Sequence, residues 1–132
     1  MDVQQQANGI ESVASKHSVD ETVALLTRQL ESKGVKVFAV IDHSGEAEKA
    51  GFTMPDTKLI VFGNPKAGTP IMLEAPLSAI DLPLKLLVWK DAGGGVWVSY
   101  NRPEFLQHRY SLPAQVMGPL AGVSALAGSV AH

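Results

Sequence analysis

Cysteine is absent from the 132 residues of the chain. This absence excludes a disulfide framework, a zinc site with thiolate ligands and a cysteine nucleophile. It leaves the redox compartment of the protein unconstrained.

Charged and aromatic residues are also sparse. Charged residues make up 18% of the chain, aromatic residues make up 6%, and the formal net charge is −2. A charge this small creates no strong field around the protein. We therefore expect neither nucleic acid nor a membrane surface as a partner.

The chain has no segment that is typical of targeting or of membrane insertion. Residues 1–6 lack the basic region and the apolar core of a signal peptide. Residues 111–132 carry no formal charge unless a histidine is protonated, but they have too few large apolar side chains to span a bilayer. We expect a cytoplasmic protein.

An apolar fraction of 45% in a chain of this length indicates one globular domain. We divide the chain into a flexible lead-in at residues 1–8, the domain itself at residues 9–112, and a helix rich in alanine and glycine at residues 113–132. This last helix is expected to pack on the domain.

The central stretch, residues 57–100, contains three strand candidates. The unbroken apolar run at residues 59–62 is too short for a helix and predicts a strand. Residues 84–90 and 96–100 predict a hairpin around a glycine-rich loop at residues 91–95. If Lys90 pairs with Val96, Trp89 lies opposite Trp97.

Upstream of this stretch, residues 9–16 form a weak strand candidate, and a capping box at Ser18 predicts a helix over residues 19–33. Residues 35–41 are apolar on both faces, which indicates a central strand. Ser44 is expected to cap a short helix at residues 45–50.

Downstream, Thr69 is expected to cap a helix that begins at Pro70, because a proline inside a helix continuing from Pro65 would disrupt it. Two further helices are predicted over residues 104–109 and 119–130.

This order of elements predicts an α+β fold of two layers, with one antiparallel or mixed sheet and helices on one face. The strands are apolar on both faces, and the helices of a two-layer fold cover only one of them. We therefore expect a homodimer that forms through the uncovered face.

The sequence resembles the domain-of-unknown-function 302 family. The resemblance implies a fold like that of the TATA-binding protein, of β-α-β-β-β-β-α type, in a small bacterial dimer, and it implies no established activity. It runs from about Gly9 to Leu112. It depends on residues 41–43, on Ala47, Gly51 and Met54, on the block at residues 57–70 that contains Phe-Gly-Asn-Pro and Gly-Thr-Pro, on residues 81–85, and on residues 96–101.

The turn that follows the predicted strand at residues 59–62 is the principal binding candidate. Its outline is that of a phosphate-binding loop, but Thr69 and Pro70 stand where that loop needs lysine and a hydroxyl, which excludes nucleotide hydrolysis. A small anionic or apolar ligand remains possible, since a glycine turn before a helix can bind an anion. The alternative is an ordinary tight turn. The candidate ligand-binding residues are Phe62, Gly63, Asn64, Lys66, Gly68 and Thr69.

Asp42 and His43, at the end of a predicted strand, are the candidate acid–base pair. The alternative is that Asp42 only caps a turn. His43 could also bind a metal or haem iron, although no second ligand lies at a diagnostic spacing. We expect this pair and the glycine turn to meet at one edge of the sheet.

The predicted function is therefore ligand binding. The alternatives are an enzyme using His43, a haem or metal protein, and a protein-interaction module.

Overall fold

A five-stranded antiparallel sheet forms one layer of the protein, and the computed structural model describes residues 8–131. The spatial order of the strands is β1-β5-β4-β3-β2. Their bounds are β1 (Ile10–Ser15), β2 (Lys36–Asp42), β3 (Thr57–Gly63), β4 (Leu84–Lys90) and β5 (Val96–Asn101). All four pairings are antiparallel, so the predicted α+β class is confirmed, without a parallel strand pair among the described residues.

Residues 8–131 also contain five α-helices and three short 3-10 turns. The helices are α1 (Val19–Ser32), α2 (His43–Lys49), α3 (Pro65–Glu74), α4 (Pro103–Tyr110) and α5 (Gly118–Gly128), and the 3-10 turns are Pro76–Ile80, Ala114–Val116 and Ser129–Ala131. No helix in this part of the chain is both long and apolar enough to cross a membrane. The proposed lead-in lies, except for Asn8, outside the described residues.

The main core lies between the sheet and two helices. Ile60, Leu86 and Val88 are fully buried in one cluster with Leu26 of α1 and Val123 of α5. Side chains alternate between the two faces of a strand, so one face of the sheet supplies these residues. The C-terminal helix therefore packs on the same sheet face as α1.

The opposite face of the sheet is apolar at its centre and only partly buried. Its residues are placed by the strand registers, in which Leu59 lies between Ile41 and Leu87, and Trp89 lies opposite Trp97. We call this surface the open face and define it by Ile41, Leu59, Val61, Leu87, Trp89 and Trp97. None of the six belongs to a buried cluster of the described residues.

The hairpin between β4 and β5 is held by one carboxylate. Asp91 accepts hydrogen bonds from the amides of Gly93 (2.9 Å) and Gly95 (2.8 Å) and from Nε1 of Trp97 (2.8 Å). The bond from Trp97, followed by the bond from Gly95, lowers the pKa of Asp91 below its ordinary value. The predicted pairing of Lys90 with Val96 and of Trp89 with Trp97 is confirmed.

Strand β2 lies at the edge of the sheet, so its prediction as a central strand is wrong. Three of its apolar side chains are exposed: Phe38 by 42%, Val40 by 43% and Ile41 by 39%. A register shift between Val37 and Ala39 changes which side chains face the core. Apolar residues on both faces of a strand therefore did not mean burial on both sides.

Two predicted helix starts are also wrong. Helix α2 is capped by Asp42 instead of Ser44, because Asp42 accepts from the amide of Gly45 at 2.9 Å. Helix α3 begins at Pro65 and runs through Pro70, with Asn64 as its cap. The Asn64 cap and a proline at the first helical position account for the start of this helix of 10 residues at Pro65.

Candidate functional site

A cavity of about 310 Å³ opens where β3 ends and α3 begins. Helices α1 and α5 and the segment that leads into β4 form the rest of its wall. The lining residues are Leu30, Lys33, Val35, Phe38, Phe62, Gly63, Asn64, Pro65, Ala67, Gly68, Thr69, Ile71, Met72, Leu82, Pro83, Leu84, Pro119, Leu120, Gly122, Val123 and Leu126. Its volume is within the range of small-molecule sites.

The floor of this cavity consists of buried apolar side chains. Its six members are 4% exposed or less and come from α1, β3, α3 and α5: Leu30, Phe62, Ile71, Leu120, Val123 and Leu126. The mouth is formed by exposed residues, among them Lys33, Asn64, Thr69 and Pro119. The cavity thus has an apolar interior and a more polar entrance, an arrangement that favours a largely apolar ligand.

The turn at the mouth is built around Asn64. Its side-chain oxygen accepts a hydrogen bond from the amide of Lys66 at 3.0 Å, and its carbonyl accepts from the amides of Ala67 (2.8 Å) and Gly68 (2.9 Å). Pro65 has no amide hydrogen to donate. The amide donors of the first turn of α3 are therefore occupied within the chain, and this helix start offers no cradle of amide hydrogens to an anion.

Gly63 lies at a tightly packed point of the cavity wall. A Cβ atom at this position would lie 3.3 Å from Cβ of Pro83 and 3.5 Å from Cε2 of Phe38. The peptide bond before Pro83 is cis. Gly63, Pro83 and Phe38 bring β3, β4 and β2 together at the cavity.

The structure brings five of the six candidate ligand-binding residues to this one cavity. They are Phe62, Gly63, Asn64, Gly68 and Thr69. Lys66 is exposed and does not contribute to the wall.

The expectation that Asp42 and His43 meet the glycine turn at one edge is wrong. In the antiparallel pair of β2 and β3, Asp42 lies opposite Lys58, whereas Lys36 lies opposite Gly63. The five residue-to-residue steps from Lys58 to Gly63 span about 17 Å at about 3.3 Å per step. The two segments are therefore at opposite ends of the sheet.

Asp42 acts as a helix cap in the structure. Its carboxylate accepts from the amide of Gly45 (2.9 Å) and from Oγ of Ser44 (2.8 Å). The bond from Gly45, followed by the bond from Ser44, lowers the pKa of Asp42 below its ordinary value. Within residues 8–131 no hydrogen bond joins this carboxylate to the exposed His43, so Asp42 caps the helix and does not orient His43.

No group of three histidine, aspartate or glutamate side chains that could bind a metal ion occurs in the described part of the chain.

The rest of the cavity wall was not predicted from the sequence. Leu30, Leu120 and Val123 lie on apolar helix stripes, which predict burial but not a cavity beside it. Gly122 was the one of these residues that sequence reasoning could have identified. A glycine inside a helix lowers the stability of the helix and often marks a packing or functional position.

Three comparisons relate the chain to known proteins. The family model described as "Domain of unknown function DUF302" matches residues 11–125, and therefore continues past Leu112 into α5. Two curated relatives carry the name "Fluoride-specific ion channel FluC 1", one from Brucella suis and one from Brucella abortus. Each is 41% identical over 105 residues, which is 80% of this chain. The chain spans 41% of the first relative and 39% of the second, about two fifths of their length.

The fold is also that of a solved protein. The crystal structure of an uncharacterised conserved DUF302 protein from Bacillus stearothermophilus has a TM-score of 0.76 and 18% sequence identity. The similarity covers 93% of this chain and 95% of that one. With the family model matching most of the residues, the chain belongs to the DUF302 family of domains of unknown function.

Proposed function

We propose that this domain binds a small, largely apolar molecule in the cavity at the end of β3. The observation that carries the proposal is the buried apolar floor beneath an open mouth. Sites for small molecules are typically concave and apolar, with a few polar groups that orient the ligand. Here Asn64 and Thr69 supply polar side chains at the entrance.

Of the two ligand types predicted for the glycine turn, the apolar one is better supported. A phosphate or sulfate group bound at a helix start depends on free amide hydrogens. The amides of Lys66, Ala67 and Gly68 already donate to Asn64. The cavity behind the turn, by contrast, offers apolar contact on several sides.

Filling the cavity should weaken binding. Gly122 is part of its wall, and a Cβ atom there would meet no heavy atom within 4 Å. We expect Gly122→Leu to lower the affinity for the neutral fluorescent probe N-phenylnaphthylamine about tenfold or more, because the leucine takes space that the probe would fill. Fluorescence titration of both proteins measures this change.

The matched control is Gly118→Leu. Gly118 lies in the same helix and also has nothing within 4 Å of its Cβ position, but it is not part of the cavity wall. Its replacement should leave the affinity for the probe unchanged. Equal affinity of wild type and Gly122→Leu, or no binding of the probe by the wild type, would contradict the proposal.

We also propose that the domain forms a homodimer through the open face. The chain's own C-terminal helix packs on the other side of the sheet and so does not cover this surface. A second copy presents the same apolar surface and can cover it by two-fold symmetry. The partly exposed Leu59, Leu87 and Trp89 would then become buried.

A second candidate function is association with a fluoride channel. It is favoured by the Brucella proteins, in which a region 41% identical to this chain is part of a longer protein named as a fluoride-specific ion channel. About three fifths of each of those proteins lies outside the region that this chain matches. A domain that is fused to such a segment in one organism can bind its equivalent as a separate chain in another.

This second candidate predicts a complex with the unmatched part of the Brucella suis protein. We expect the two to elute together from a size-exclusion column in detergent when they are produced in the same cells. The matched control is the Brucella protein's own DUF302-like region, supplied as a separate chain. Separate elution of this chain, together with co-elution of the control, would contradict the association.

A further inference from the structure

We infer that the molecule bound in the cavity is an amphiphile with an acidic group, such as a medium-chain carboxylic acid, and that Lys33 binds this group at the mouth. The inference rests on the proposed function, since it gives the chemical class of the same ligand. It depends on the charge, the position and the free ammonium group of one lysine.

Among residues 8–131, the wall of the cavity has a positive charge and no negative one. Lys33 is the one charged side chain that these residues contribute, and none of their aspartates or glutamates is part of the lining. The apolar interior has few competing polar groups. An anionic group at the mouth would therefore meet a favourable field that a cationic or neutral group would not.

Lys33 is held in place by its backbone. It is the C-cap residue that follows Ser32 at the end of α1, and its amide donates to the carbonyls of Gln29 (3.2 Å) and Leu30 (3.1 Å). Leu30, one turn earlier, is part of the buried floor. The same helix end thus supplies an apolar contact inside the cavity and a cation at its entrance.

The ammonium group of Lys33 is available to a ligand. Among residues 8–131 no ion pair or hydrogen bond involves its Nζ, whereas Lys58 forms an ion pair with Asp20 at 2.8 Å and Lys49 with Glu46 at 3.5 Å. The other two polar side chains of the wall are neutral, and the side-chain oxygen of Asn64 already accepts from Lys66. Lys33 is therefore the group that can distinguish an acid from an alcohol of equal length.

Displacement of N-phenylnaphthylamine by decanoate and by decanol tests this inference. At neutral pH and low salt we expect decanoate to bind the wild type about fivefold more tightly than decanol, a ratio at the upper end of what an exposed ion pair contributes. Lys33→Met keeps an apolar stem and removes the charge, so it should abolish the preference. Lys33→Arg should retain it, and added salt should reduce it.

Lys66→Met is the matched control, because Lys66 belongs to the neighbouring turn but not to the cavity wall. It should leave the preference for decanoate unchanged. Equal binding of decanoate and decanol by the wild type would overturn the role of Lys33 and leave the apolar site in place. Failure of the probe, decanoate and decanol to bind at all would overturn the proposed function itself.

Discussion

Replacing Leu86 with alanine is expected to lower the free energy of unfolding by about 3 kcal/mol. Leu86 is fully buried at the centre of the main core, in β4, the middle strand of the sheet. Its neighbours in the core come from both layers, so the surrounding atoms cannot easily collapse into the space that the side chain leaves. Urea denaturation followed by tryptophan fluorescence measures the loss.

The adjacent residue provides the control for this prediction. Leu87 lies on the open face and is partly exposed, so Leu87→Ala should cost only about 1 kcal/mol from lost apolar contact. Both variants should be compared at a protein concentration at which they are monomeric, because the proposed dimer would bury Leu87. Equal losses for Leu86→Ala and Leu87→Ala would contradict the assignment of the two faces of β4.

The hairpin could be predicted from the sequence because its signals are local. Two apolar runs flank the loop at residues 91–95, and the length of that loop fixes the register. Helix α1 could be predicted equally well, since its capping serine, its apolar stripe and the glycine after its end, Gly34, all lie within one segment. Ser18 accepts from the amide of Glu21 at 3.1 Å, as the capping box predicts.

The place of a strand in the sheet could not be predicted in the same way. The sequence of β2 is as apolar as that of β3, yet β2 lies at the edge and β3 lies inside. Strands with a high content of apolar residues occur both inside a core and on an uncovered apolar surface. Only the pairing of the whole chain distinguishes these two cases.

The candidate site shows the same division between local and long-range information. The turn at residues 62–69 could be recognised from its two glycines, its proline and its asparagine. Its cavity depends on Lys33 of α1 and Gly122 of α5, which come together only through the packing of distant segments. The predicted meeting of Asp42 and His43 with this turn is wrong because β2 and β3 are antiparallel. The residues that follow these two strands therefore lie at opposite ends of the sheet.

A single charge on the open face is expected to convert the proposed dimer into monomers. Leu59 is central on this face, with Ile41 and Leu87 as its cross-strand neighbours. In a symmetric dimer, Leu59→Glu would place an unpaired carboxylate from each copy in an apolar interface. Burying such a charge costs several kcal/mol, so we expect dimer affinity to fall about a hundredfold or more. Light scattering coupled to size-exclusion chromatography at micromolar concentration measures the change in mass.

The same substitution at Leu73 separates the effect of the interface from a general effect of added charge. Leu73 is 79% exposed and lies on α3, in the helical part of the fold, so Leu73→Glu should leave the dimer intact. Circular dichroism should show that both variants are folded, since Leu59 lies outside the buried core. A monomeric wild type, or a Leu59→Glu variant that remains dimeric, would contradict pairing through this face. In that case the apolar residues of β2, β3 and β4 would have to be covered by a different partner, and the Brucella channel segment would become the first to test.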